Sequence, residues 1–234
     1  MVRSVASMVD EQVYRWGQGA KSSRRPCVAI SHLTGSDGLE LGRRVADRLS
    51  YGFFDRAIVD GIVHDQAVQQ RLVRAVDEHV RSLIDRYLLD AFRTQRFGES
   101  DYLRSLVRVV RTLGQLGDAV LLGRGSAFIL SKREALRVLV VAPTPLRVER
   151  FAKAHGLDHA AAAVRLERED ADRSEFIHHH FGVRQDDPSS YELAVNTGSL
   201  PLDVAANLVV EALRGAFPAG LPADALGGAV RKGS

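Results

Sequence analysis

The chain has 234 residues, 45% of them apolar and 26% charged, with a formal net charge of +3. That balance excludes a disordered chain, and no run approaches the roughly 18 apolar residues of a membrane span. The single cysteine, Cys27, excludes an internal disulfide and a multi-cysteine zinc site; it sits in an apolar run and reads as a buried, inert thiol.

Residues 1–25 read as an N-terminal arm with a short amphipathic helix over 10–17. Residues 9–25 are polar and basic rather than an apolar leader, so the expectation is a cytoplasmic protein. Five short apolar runs then read as buried strands: 27–31 (CVAIS), 52–54 (GFF), 119–122 (AVLL), 137–141 (RVLVV) and 192–195 (ELAV). Between them lie helical patterns at 39–49, 66–92, 101–116, 144–155, 158–181 and 202–213. The stripe over 66–92 is Leu72, Val76, Val80, Leu83, Ile84, Tyr87, Leu88 and Ala91, which predicts one long helix. Thr144 before Pro145 predicts an N-cap, and Gly156 a stop. Residues 217–234 are rich in Gly, Ala and Pro and read as a flexible tail.

Alternation of strand and helix predicts an α/β fold, a parallel sheet with helices on both faces. Such sheets bind ligands beyond the carboxyl ends of their strands. Strand 27–31 runs into His32-Leu33-Thr34-Gly35-Ser36-Asp37-Gly38-Leu39-Glu40 and then a helix. Two readings stand side by side. Strand, glycine-containing loop and helix N-terminus form the geometry that cradles phosphate, here with Gly35, Ser36, Asp37, Gly38, Leu39 and Glu40. Alternatively, Asp37-x-x-Glu40 has the spacing of a capping box. Measured against GxxxxGK[ST], Gly38 stands where the lysine belongs, and no Ser/Thr stands at the magnesium position.

The chain resembles the cytidylate kinase-like family, a branch of the P-loop nucleoside monophosphate kinases, over about residues 26–215. The family's loop runs Ile-Ser-Arg-x-x-Gly-Ser-Gly-Gly-Arg-Glu, and Ile30 to Glu40 is similar to it, departing at His32, Asp37 and Leu39. Also similar are Tyr51-Gly52-Phe53-Phe54-Asp55 at the second strand and Leu122-Gly123-Arg124-Gly125 at the third. Arg147-x-x-Arg150 follows the fourth, Asp170-x-x-Arg173 lies in the long helix, and Tyr191 to Thr197 spans the fifth. The six motifs stand in the family's order, each beside its expected element.

The resemblance implies a five-stranded P-loop sheet in a domain over 26–216, with a helical insertion at 62–117 and a lid-like segment at 156–182. It implies ATP and Mg2+ as cofactors and transfer of the ATP γ-phosphoryl group to a monophosphate such as CMP. Arg124, Arg150, Asp170 and Arg173 would carry catalysis; Asp55, Arg124 and Arg147 would hold the acceptor; Asn196 and Thr197 would lie on the donor side. The residues keep plainer alternatives: surface ion pairs for the arginines, a helix cap for Asp55, an Asx turn for Asn196. Of the 32 basic residues 28 are arginines, and no lysine stands in the loop. Arginines are therefore the natural replacement for the lysine, although a biased genome also produces such a count.

His178-His179-His180 are adjacent on a helix, about 100° apart, and cannot all face one ion. A homodimer through the helical insertion is an open expectation. The missing lysine and added Asp37 motivate a second function: a catalytically weak or inactive nucleotide-binding regulatory protein. Alternating charge signs and the lack of an aromatic platform argue against nucleic acid.

Overall fold

Each apolar run becomes a strand because only a sheet covered on both faces can bury it fully. A computed structural model describes residues 4–18, 26–93 and 100–218. In chain order the elements are α1 (Val5–Gln18), β1 (Cys27–His32), α2 (Gly38–Leu49), β2 (Gly52–Phe54) and α3 (Arg56–His64). Then come α4 (Gln66–Ala75), α5 (Glu78–Arg93), α6 (Asp101–Leu116), β3 (Ala119–Leu122) and α7 (Ser126–Ile129). The chain continues through β4 (Ala135–Val141), α8 (Thr144–His155), α9 (His159–Phe181), β5 (Leu193–Asn196) and α10 (Leu202–Ala216). The five strands form one sheet in the order β2-β3-β1-β4-β5, with every pairing parallel. Ile30 pairs with Leu122 on one side and Val138 on the other, so β1 is the central strand.

Two apolar layers cover the sheet. On one face Ile30, Val120 and Val138 pack with Leu41 and Val45 of α2 and Val209 of α10. On the other, Ala29, Leu121 and Leu139 pack with α3 to α7. Cys27 lies in this layer, its thiol 3.7 Å from the Leu113 carbonyl, and burial pushes its pKa up, as an inert thiol requires. Residues 219–234, most of the expected tail, lie outside the described residues.

Several expectations are corrected. The helix expected over 66–92 is two: Val76 turns extended and the Asp77 side chain accepts from the Val80 N–H at 2.8 Å, starting α5. Val76 stays in the core regardless, which is why the stripe looked continuous. No helical pattern is read at 56–64 from the sequence, and α3 fills that span as the cap reading of Asp55 requires. The helix predicted over 10–17 starts earlier, at Val5; Val9 is buried, and Gln12 donates to the Gly117 carbonyl at 2.8 Å. Thr144 is not a cap: Pro143 holds that position, and the Thr144 hydroxyl accepts from Arg147. The stripes of α5 and α6 are spent inside the chain: Leu103, Leu106, Val107, Val110 and Leu113 are fully buried in one core layer.

That layer also holds an ion pair, Arg111 to Glu134 at 2.6 Å, both almost wholly buried. Gln115 donates to the same carboxylate at 3.0 Å, and Ser131 donates through its N–H and its hydroxyl, each at 2.9 Å. Because removing one partner strands the other, Glu134→Ala is expected to cost about 3–5 kcal/mol in urea unfolding. Replacing Arg111 as well, with leucine, should recover part of that loss.

Candidate active site

The β1–α2 loop is shaped by close approach. Gly35 adopts φ 75°, and a Cβ there would lie 2.4 Å from the Arg147 carbonyl oxygen. Ser36 is fully buried and its hydroxyl donates to the Leu33 carbonyl at 2.7 Å. The capping-box reading is corrected. Asp37 has φ 56°, in the left-handed region, and its side chain makes no cap bond. Its carboxylate instead meets Arg150 Nε at 3.0 Å, and Glu40 pairs with Arg44 at 2.9 Å. The first-turn N–H groups of α2 therefore lack their side-chain cap, which is the condition of an anion-binding helix end.

Arginines from two helices converge on this loop. Arg147 of α8 is buried and donates to the Thr34 carbonyl at 3.0 Å and to Asp170 of α9 at 2.5 Å. Asp170 in turn accepts from the Thr34 N–H at 2.8 Å. Arg173, one turn further along α9, donates to the His32 carbonyl at 2.8 Å and to Thr34 Oγ1 at 3.2 Å. Burial holds its guanidinium pKa down, with Asp170 opposing. Arg150 donates to Thr197 Oγ1 at 3.1 Å and to the Thr197 carbonyl at 3.0 Å, and the Thr197 hydroxyl donates to the Ser36 carbonyl at 2.8 Å. Asn196 makes the Asx turn, accepting from the Gly198 N–H at 2.9 Å. The loop is thus clamped from the α8, α9 and β5 sides, and two carboxylates, Asp37 and Asp170, already sit on its arginines.

Beside the loop, beyond the carboxyl ends of β1, β2 and β3, lies a cleft of about 800 Å³. That is ample for a nucleotide-sized ligand. Arg124 enters it from Gly123-Arg124-Gly125, three successive residues at φ 77°, 52° and 68°. Left-handed backbone at a non-glycine residue is strained, and such strain clusters at functional sites. Arg124 pairs with Asp60 of α3, and the Tyr102 hydroxyl donates to the same carboxylate at 2.8 Å. Burial and that hydrogen bond raise the Tyr102 pKa, keeping it a donor. Asp55 lines the cleft and also caps α3, accepting from the Ile58 N–H at 3.1 Å.

The structure therefore brings Arg124, Asp55 and Arg173 to the cleft, and Arg150 and Thr197 to the opposite flank of the loop. Arg147, expected with the acceptor group, lies against the loop and is not among the residues lining the cleft. Asp60, Tyr102, Phe176 and Gln185 were not singled out from sequence. The one available signal for Asp60 was its position, five residues past Asp55 on α3. Gln185 donates to the His32 carbonyl at 3.1 Å, sharing it with Arg173.

Burial lowers the His32 pKa to about 4, with nearby Arg173 adding to the effect and the Leu33 carbonyl and Asp170 opposing it. The unfolded imidazole takes its proton near pH 6.5, so His32 contributes stability above that pH and loses it as pH falls towards 4. The drop in melting temperature from pH 7 to pH 4.5 is therefore expected to be smaller in His32→Gln than in the wild type.

Among the described residues no group of three or more His, Cys, Asp or Glu side chains could hold a metal ion, and no helix is long and apolar enough to cross a membrane.

Known proteins place this geometry. A solved structure of an uncharacterized protein from Eubacterium ventriosum superposes with a TM-score of 0.63 at 14% identity, covering 81% of this chain and 98% of that one. At that identity the likeness shows the fold alone. Residues in this chain are 29% identical to a cytidylate kinase of Staphylothermus marinus over 96 residues, 41% of this chain and 54% of that protein. A stretch of 100 residues, 42% of this chain, is 35% identical to a uronate isomerase of Corynebacterium glutamicum, but spans 19% of that enzyme. The chain thus spans about half, or less, of the length of these curated relatives. The model of the cytidylate kinase-like family matches residues 27–199, from the first residue of β1 to just past the Asn196 turn. That span takes in all five strands, the arginine-clamped loop and the cleft, and the chain belongs to the cytidylate kinase-like family.

Proposed function

We propose that the chain is a nucleoside monophosphate kinase, moving the γ-phosphoryl group of ATP to a cytidylate-type monophosphate, in the cytoplasm. An acceptor phosphate oxygen bonds to the γ-phosphorus as the bond from that phosphorus to the β-bridging oxygen breaks, and ADP leaves. Such transfer needs positioning and positive charge more than covalent chemistry. The observation that carries this reading is the meeting of Arg147, Arg150 and Arg173 on a lysine-free phosphate loop.

In this reading the N–H groups of residues 35–40 hold the donor phosphates, with Arg150, Asn196 and Thr197 on the donor side. Arg124 and Asp55 hold the acceptor. Arg173 lies between them, reaching both the loop and the cleft, and Asp170 positions Thr34 and Arg147. Mg2+ ordinarily arrives with nucleotide phosphates and takes one or two carboxylates. Asp170 of α9, whose other oxygen already meets the loop at the Thr34 N–H, would serve for this once it leaves Arg147, which fits a metal carried by the nucleotide rather than a resident one. The metal would supply charge neutralisation on the phosphates.

A second reading, a nucleotide-binding regulatory protein without turnover, is favoured by Asp37 alone, whose carboxylate occupies Arg150. Calorimetry with ATP, CMP, dCMP and UMP, with and without magnesium, followed by an assay for ADP, separates the two. The kinase reading expects magnesium-dependent ATP binding and ADP formed only when a monophosphate is present. Binding without ADP supports the regulator, and a chain that binds no nucleotide refutes both.

A further inference from the structure

We infer a second anion site on the helical insertion, away from the cleft, that takes a phosphate-type oxyanion. A groove of about 260 Å³ opens between α4, α5 and α6. Arg74, Arg81 and Arg108 line it, with Asp85 as their one carboxylate. Asp85 is already used, pairing with Arg108 at 2.9 Å. Arg74 and Arg81 have no carboxylate partner among the described residues, so the groove keeps two uncompensated positive charges.

Its polar lining points the same way. Arg74, Arg81, Arg108 and the Gln69 and Gln70 amides line the groove, a set rich in donors. An occupant that pairs with this lining must bring acceptors. An oxyanion brings acceptors and the missing negative charge together, and arginine's fork matches phosphate geometry. The size suits inorganic phosphate or pyrophosphate, or the phosphate end of a larger metabolite. None of the groove residues belongs to the clamp around the phosphate loop or to the cleft.

Titration of the full chain with inorganic phosphate and with pyrophosphate, in phosphate-free low-salt buffer, tests the site. Wild-type protein should bind, and Arg81→Gln should weaken binding at least tenfold. Arg74→Gln, at an exposed position, should weaken it severalfold, and it carries the test should Arg81→Gln not fold. Arg173→Gln, which alters the cleft, should leave this binding within twofold. The inference is overturned if wild type binds neither anion, if both groove variants bind as wild type does, or if only Arg173→Gln loses binding. Equal affinity for malonate overturns the phosphate assignment. Binding of phosphate without binding of pyrophosphate supports a site for a single phosphate group.

Discussion

Asp37→Gly is expected to tighten ATP binding about tenfold, which corresponds to about 1.4 kcal/mol. Two effects act in that direction. The substitution removes a carboxylate from the start of α2, where the helix dipole and free N–H groups favour the ligand's negative charge rather than a competing one. It frees Arg150, whose Nε now meets the Asp37 carboxylate at 3.0 Å, to face the donor phosphates from its place beside Thr197. For the stability of the empty protein, the substitution also lets the φ of 56° be held by a residue that adopts it without strain, where an L side chain costs about 1 kcal/mol. Against these stands one ion pair, a quarter to a third exposed, of the kind worth at most about 1 kcal/mol. The melting temperature of the empty protein should therefore hold or rise. Calorimetry of both proteins with ATP and magnesium checks this. Unchanged or weaker affinity would mean that the carboxylate does not oppose the nucleotide, and that it serves in place, for example through a metal.

The same residue shows where sequence reading reaches its limit. Asp37-x-x-Glu40 has the spacing of a capping box, and local spacing is all that a cap requires. What decides otherwise is Arg150, more than a hundred residues along the chain, which captures the Asp37 carboxylate, while Arg44 takes Glu40. The strands were legible because parallel strands buried on both faces are short, continuous apolar runs, and Cys27–His32 is buried over its first five residues. The break between α4 and α5 was not legible, because Val76 keeps its place in the apolar stripe on both sides of the turn. In the site, Arg124, Arg150 and Arg173 were legible from their positions at strand ends and on the long helix. Their partners were not, since Asp60 meets Arg124 and Thr34 meets Arg173 only through the folded sheet.

Arg173→Gln is expected to lower kcat by about 100- to 1000-fold, the loss typical when one preorganised donor to a developing charge is removed. Arg173 stands apart from the other arginines of the site in reaching both halves of it. Its Nη1 bonds the His32 carbonyl and the Thr34 hydroxyl at the root of the β1–α2 loop, while its side chain lines the cleft. A group transferred between loop and cleft passes this guanidinium, and partial burial makes the charge count for more than it would in water. The structural cost should be small by comparison, because Gln185 also donates to the His32 carbonyl and Asp170 keeps Arg147 as its partner. The prediction is thus a split: a large fall in kcat with a KM for ATP changed by severalfold at most, and a melting temperature within a few degrees of wild type. Turnover with ATP and CMP, beside thermal unfolding of the same preparations, reads both. If the two fall together, Arg173 holds the loop in shape; if neither falls, the charge at this junction has no part in the reaction.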